Sequence, residues 1–178
     1  ISIELEDDIK EKICNLVSHL KQNNSNIRWV KPENLHITLA FLGEICNKKI
    51  PVLCRGLQRV SKTHNSFKIT FSNLGFFPNP RNPRVLWIGI ERNNKLYNLK
   101  QDIDNVLDEL GIYCNKKPFL PHLTIGRIKT KIINYEYFSS INFKSSTEVK
   151  GINLMESKLY KTGPIYNSLF EVSLKKFD

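Results

Sequence analysis

The sequence predicts an α+β fold: two pseudo-symmetric lobes with mainly antiparallel sheets lining a central cleft, and helices on the outside. Three observations carry this. Segments with the 3.6-residue period of a helix alternate with segments of strand period, yet several neighbouring strands are joined by connections too short for parallel crossovers. A tetrapeptide, His36-Ile37-Thr38-Leu39, returns as His122-Leu123-Thr124-Ile125, 86 residues further on and so close to half of the 178-residue chain. No low-complexity linker separates the halves, and the length matches about one domain of roughly 150 residues, so residues 1–178 are expected to form a single domain of two lobes, each carrying one copy.

Ile1 to Leu5 alternates as a half-buried strand does. Asp7 and Asp8 open a helix, where acids suit its positive end; Ile9, Ile13, Leu16 and Leu20 form its apolar stripe, and Asn23-Asn24-Ser25 ends it. Ile27 to Val30 is a short strand, Lys31-Pro32 a turn, and Leu35 to Leu42 a strand stopped by Gly43. Ile50, Leu53, Leu57 and Val60 mark a second helix, and Phe67, Ile69 and Phe71 a strand. Three prolines within Phe77 to Pro83 make that segment a loop. Arg84 to Ile90 is a strand, followed by a third helix with its stripe at Leu96, Leu99, Ile103, Val106, Leu107 and Leu110 and a glycine cap at Gly111. Phe119 to Ile128 is a strand after Lys116-Lys117-Pro118. Ile152 to Leu159 and Leu169 to Leu174 are the last two, joined by a turn containing Gly163-Pro164.

Composition removes several classes. No run approaches the roughly 18 to 20 apolar residues that span a bilayer, so no membrane partner is expected. No charged-then-apolar leader is visible, and the four cysteines (Cys14, Cys46, Cys54, Cys114) form no C-x-x-C pair, so reduced thiols in the cytoplasm are expected. The formal net charge is +10, and its distribution is more telling than its sum. Ile45 to Ile90 holds eight basic residues and no acid; Leu110 to Tyr135 holds five and no acid. Such segregation favours a polyanion such as RNA over a basic surface serving only solubility.

The repeated tetrapeptide carries the chemistry. Residues two apart on a strand share a face, so His36 and Thr38 point one way while Ile37 and Leu39 enter a core; His122 and Thr124 do the same against Leu123 and Ile125. An approximate twofold then gathers two imidazoles and two hydroxyls around one cleft. A neutral imidazole can take a proton from an attacking water, and a protonated one can give a proton to a leaving oxygen, because the ordinary His pKa of about 6.5 lies near working pH. Thr hydroxyls can donate to non-bridging phosphate oxygens. No metal is needed, and no H-x-x-x-H, C-x-x-C or D-x-D ligand set is present, so no cofactor is expected. His19 on the first helix and His64 in a polar turn read as surface residues. Arg127 can pin a phosphate only if its strand ends or bulges near Gly126, since a regular strand points it away from His122 and Thr124; otherwise it is a solvated strand-end cation.

These motifs, with Arg28-Trp29-Val30-Lys31-Pro32-Glu33-Asn34-Leu35 before the first, Phe41-Leu42-Gly43-Glu44 after it, Phe77-Pro78-Asn79-Pro80, Pro83 to Trp87, Pro118 to Ile125 and Gly163-Pro164-Ile165-Tyr166, resemble the 2H phosphoesterases over nearly the whole chain. Among those the chain is most similar to the bacterial and archaeal RNA 2′,3′-cyclic phosphodiesterases, often labelled 2′-5′ RNA ligases. The resemblance implies metal-independent hydrolysis of RNA 2′,3′-cyclic phosphate ends to 2′-phosphomonoesters. It implies His36 as proton donor, His122 as proton acceptor, and Thr38, Thr124 and Arg127 as phosphate-binding residues. By the residues alone the two His roles are interchangeable. The family's base-stacking aromatic precedes the strand that starts here at Ile1, so none is assigned; Trp29 and Trp87 are expected in the core. The expected partners are RNA ends or small cyclic nucleotides, and the expected state is a monomer. Two competing readings use the same cleft: a binding module for nucleotides or RNA ends without turnover, and 2′-5′ ligation as a side activity.

Overall fold

The computed structural model describes residues 1–22, 24–112, 118–129, 134–160 and 163–176. Asn23 at the expected helix end, Cys114, and the basic residues Lys116, Lys117 and Lys131 lie outside them. Among the described residues the elements run β1 (Ser2–Glu4), α1 (Asp7–Lys21), β2 (Ile27–Trp29), β3 (His36–Thr38), α2 (Ile50–Ser61), β4 (Phe67–Phe77), β5 (Val85–Ile90), α3 (Asn94–Glu109), β6 (His122–Ile128), α4 (Tyr135–Ser140), β7 (Lys144–Val149), β8 (Gly151–Tyr160) and β9 (Gly163–Ser173).

The strands make one sheet in the order β7-β4-β5-β6-β3-β1-β8-β9, with β2 added to β6. Every pairing between named strands is antiparallel. The halves meet at β3 and β6, through the register Ile37↔Leu123. Along that order, β2 aside, four strands stand on each side of the seam, and each half contributes one H-x-T strand to it. This is the two-lobed α+β architecture. α2 packs on α3 and against β8 and β9; α1 approaches β7, and α4 packs on β4. Helices from both halves of the chain thus cover one face of the sheet.

That covered face is a row of aliphatic partners: Ile3↔Ile37, Ile37↔Leu123, Ile88↔Leu123 and Leu74↔Ile88 run across five strands, four of them under 2 % exposed. Each such side chain contributes about 1.5–3 kcal/mol of hydrophobic stabilisation. Because side chains alternate, the residues on either side of each must face away from the core, and those include both histidines.

Local signals explain the elements. Asp7 and Asp8 occupy the first turn of α1. Asn93 caps α3, its side chain accepting from Leu96 N at 3.1 Å. Gly111, at φ +57°, follows the C-cap, and Lys49 Nζ donates to the Leu110 and Gly111 carbonyls at 3.0 Å, so one cation of the acid-free segment serves a helix end. Arg59 of the same segment is ion-paired with Glu109. Two expectations need correction. β3 spans only His36–Thr38, because Leu39 N and Ala40 N both turn to the Ile1 carbonyl rather than continuing the ladder. Gly163-Pro164 opens β9 instead of forming the turn, since Pro164 sits opposite Leu159 in the ladder and the connection shrinks to residues 161–162, outside those described. Cys14, Cys46 and Cys54 are free thiols. Among the described residues no helix is long and apolar enough to cross a membrane.

Candidate active site

The register maps the uncovered face as three rows. Ile37 opposite Leu123 puts Thr38 across from His122 and His36 across from Thr124. One row therefore reads Ser2, Thr38, His122, Gly89, Ser72, and the next Glu4, His36, Thr124, Trp87, Gly75. His36 and His122 occupy opposite corners of a four-residue block, with Thr38 and Thr124 at the others. Diagonal neighbours of this kind stand about 7–8 Å apart in the backbone, a span that two imidazoles can close onto one phosphorus.

Both histidines are held in the same way. His36 Nδ1 lies 2.9 Å from the Asn34 carbonyl, and His122 Nδ1 2.7 Å from the Leu120 carbonyl, in each case two residues upstream. A carbonyl only accepts, so each Nδ1 carries a proton and donates. Each Nε2 is then an acceptor when the ring is neutral and a donor when it is protonated. Aromatic edges fix the rings further. Tyr166 of β9 packs on His36 at 4.9 Å between centroids, and Phe77 at the end of β4 packs on His122 at 4.8 Å, with Trp87 behind at 6.2 Å. Asn34 Nδ2 donates to the Pro164 carbonyl at 3.4 Å, tying the last hairpin to the turn that orients His36. Burial lowers the His36 pKa below the ordinary His value, and the positive charge of His122 pushes in the same direction; the hydrogen bond to Asn34 opposes them.

Arg127 meets the condition the sequence sets for it. β6 pairs with β5 through Thr124↔Trp87 and then Gly126↔Leu86, leaving Ile125 as an extra residue, a β-bulge. The bulge moves Arg127 opposite Val85, onto the face that carries Trp87 and Thr124. The third row is thus Arg28, Arg127, Val85, Phe77. All five sequence-selected residues share one face.

Two readings of the sequence are corrected here. Trp87 is not a core residue: it alternates with Leu86 and Ile88 and lies on the histidine side. Its ring is packed over Gly75, where an added Cβ would sit 2.3 Å from it, which accounts for its burial. Trp29 does face the core, beside Gly126. His64 is not a surface residue; its side chain is 12 % exposed, and Nε2 lies 2.8 Å from Asp102 Oδ2, pinning the turn before β4 to α3. Sequence reasoning also missed the packing roles of Phe77 and Tyr166. Phe77 borders a proline-rich loop and Tyr166 follows Gly163-Pro164, and an aromatic beside such a segment is the signal that marks them. Among the described residues no cluster of three or more His, Cys, Asp or Glu side chains forms a metal-ligand set.

Comparison with known proteins agrees with the two-lobed fold. The family model described as LigT like Phosphoesterase matches residues 3–87 and again 88–166, one match per half. A protein of Archaeoglobus fulgidus named RNA 2′,3′-cyclic phosphodiesterase is 38 % identical over 174 residues, covering 95 % of this chain and 96 % of its own. One of the same name from Aquifex aeolicus is 40 % identical over 154 residues, 83 % of this chain and 81 % of its own. Among solved structures, TT0787 of Thermus thermophilus superposes with a TM-score of 0.87 at 25 % identity, over 98 % of this chain and 96 % of that one. LigT of E. coli, solved in complex with 3′-AMP, gives 0.81 at 25 % identity, over 97 % and 95 %.

Proposed function

Because the chain belongs to the LigT-like phosphoesterase family, we propose that it hydrolyses RNA 2′,3′-cyclic phosphate ends to 2′-phosphomonoesters by two-histidine acid–base catalysis, without a metal. The single observation that carries the proposal is the matched pair of imidazoles, each held at Nδ1 by a carbonyl two residues upstream, on diagonal positions of one sheet face. Names of relatives at 38 and 40 % identity support the substrate class.

The steps follow from the geometry. A 2′,3′-cyclic phosphate binds with phosphorus over the four-residue block. Thr38 and Thr124 hydroxyls donate to its non-bridging oxygens, and Arg127 adds a charge-assisted contact from the next row. Neutral His122 accepts a proton at Nε2 from water as the water oxygen bonds to phosphorus. Protonated His36 gives its Nε2 proton to the 3′ oxygen as the P–O3′ bond breaks. The 2′-phosphomonoester leaves, and proton exchange with solvent restores both rings. Diagonal placement suits this reaction, because entering and leaving oxygens lie on opposite sides of phosphorus. Burial works against the donor form of His36 in the free protein; the negative charge of bound phosphate offsets that and raises its proton affinity in the complex. Ligation would be the same ring opening with a 5′-hydroxyl in place of water as the nucleophile, and water as the abundant nucleophile favours hydrolysis.

The test is to incubate pure protein with an oligoribonucleotide ending in a 2′,3′-cyclic phosphate, with and without chelator, and identify the product. The expected outcome is a 2′-phosphate end at a chelator-independent rate. Binding without product would overturn the enzyme reading in favour of the binding module; a 3′-phosphate product would reverse the assignment of the leaving oxygen.

A further inference from the structure

The last hairpin is held in the sheet at its base and not along its length. β8 pairs with β1 through Ser2↔Asn153, and from Met155 onward its ladder partners lie on β9, as far as Tyr160↔Gly163. The register slips between Leu154 and Met155, and such a bulge increases the local twist. Beyond it stands a two-stranded ribbon, which is marginally stable by itself. Where its far end lies is therefore set by what it touches. Two contacts join it to one short segment of the cleft. Asn34 Nδ2 donates to the Pro164 carbonyl at 3.4 Å, and the Tyr166 ring meets His36 at 4.9 Å between centroids, at 69° between planes. Asn34 also supplies, from its main chain, the carbonyl that holds His36 Nδ1 at 2.9 Å. Four residues thus close a circuit: His36 to Asn34, Asn34 to Pro164, Pro164 along β9 to Tyr166, and Tyr166 back to His36. The other half holds its ring without a side-chain tie. Leu120 gives its main-chain carbonyl to His122 Nδ1, and its own side chain is apolar. Phe77, the aromatic on His122, lies opposite Val85 in the β4–β5 ladder, and β5 pairs in turn with β6. A ring carried by the continuous sheet is already in place, whereas a ring carried by a ribbon needs a mooring.

We infer that Asn34 and Tyr166 are positioning residues for His36: the Asn34 amide moors the last hairpin, and the Tyr166 ring then stops the imidazole from turning away from the Asn34 carbonyl. The inference rests on the proton-donor role given to His36 under Proposed function and adds the residues that hold it. A neutral imidazole released from that carbonyl can carry its proton on either nitrogen, so the mooring keeps one tautomer. Asn34→Ala retains the main-chain carbonyl and removes only the amide, so it separates the two tasks of that residue. The ring edge of Tyr166, and not its hydroxyl, makes the contact.

The experiment is a double-mutant cycle of Asn34→Ala and Tyr166→Leu, with Tyr166→Phe as the conservative replacement and circular dichroism as the check on folding. Nitrogen-15 NMR of the free protein at alkaline pH reads both ring nitrogens of each histidine, and steady-state kinetics on a cyclic-ended oligoribonucleotide reads kcat and KM. The wild type is expected to hold His36 and His122 each in the single form protonated at Nδ1. Asn34→Ala and Tyr166→Leu should each give His36 a mixture of tautomers and leave His122 as it is. Both should lower kcat about tenfold with KM changed less than about twofold, a smaller loss than removal of the imidazole itself. The double variant should lose no more than about either single variant, because the two residues act in one circuit. Tyr166→Phe should restore the single tautomer. Losses that multiply in the double variant, an unchanged His36 tautomer in Asn34→Ala, a Tyr166→Phe as disturbed as Tyr166→Leu, or equal changes at both histidines would overturn the inference. The tautomer is read without turnover. If the wild type leaves the oligonucleotide uncleaved while Asn34→Ala still frees the His36 ring, the circuit stands and the hydrolysis proposal falls.

Discussion

The two halves of the cleft solve one problem with the same device and surround it differently. His36 lies on a three-residue strand enclosed by β1 and β6, under Tyr166 from the last hairpin; His122 opens a seven-residue strand and meets Phe77 and Trp87. What the halves share is the backbone carbonyl two residues upstream that holds Nδ1, which sets the tautomer. What they do not share is the surroundings of the ring. The difference teaches that a repeat can preserve the direction of the reactive nitrogen through main-chain hydrogen bonds while each copy is free to tune proton affinity by burial. Two equal nitrogens would be interchangeable; here burial disfavours the protonated form of His36 in the free protein, so the donor role proposed for it depends on the charge of the bound phosphate.

That comparison can be broken most severely by deleting either ring. His36→Ala and His122→Ala should each lower hydrolysis of a cyclic-ended oligonucleotide by about 10²- to 10⁴-fold with folding preserved, as an acid–base group is worth that much. A large loss in one variant and near wild-type turnover in the other would mean that the halves are not partners. A smaller effect sharpens the asymmetry. Burial favours the neutral form of His36, so its folded-state pKa lies below its unfolded value. Between those two values the unfolded chain binds more protons, so stability from this site is full above the unfolded value of about 6.5 and is lost as pH falls through the folded one. Denaturant unfolding across that window should show wild-type stability declining with acid more steeply than that of His36→Gln, which does not titrate; parallel curves would remove burial as the cause.

Much of the site could be read in the sequence because strand alternation is strict. Once His36-Ile37-Thr38 and His122-Leu123-Thr124 are strands, their apolar middle residues must enter the core and their polar neighbours must share the other face. α1, α2 and α3 were equally legible from their apolar stripes. Other features depend on partners that no local pattern names. The run Val85 to Ile90 is apolar on both faces, so nothing in it reveals that Trp87 faces the histidines; that follows from Gly75 across the ladder making room for the ring. β4 continues to Phe77 past Asn73, at φ 52°, where the register slips, and a strand with Asn-Leu-Gly in it reads as a loop. β7 carries Lys144-Ser145-Ser146, polar because it is the edge of the sheet, and α4 has too few residues for a stripe. The bulge at Ile125 is suggested by Gly126, yet the juxtaposition of Arg28 and Arg127 needs the register of β2 against β6, which only the assembled sheet supplies.

The central claim is that the two imidazoles address one phosphate. Nitrogen-15 NMR of the histidine rings during titration with a 2′-phosphate mononucleotide tests it most directly. The account predicts that the Nε2 signals of His36 and His122 move together and saturate at one ligand per chain, while each Nδ1 stays protonated on its carbonyl. Movement of one Nε2 alone, or saturation of the two at different ligand concentrations, would contradict it.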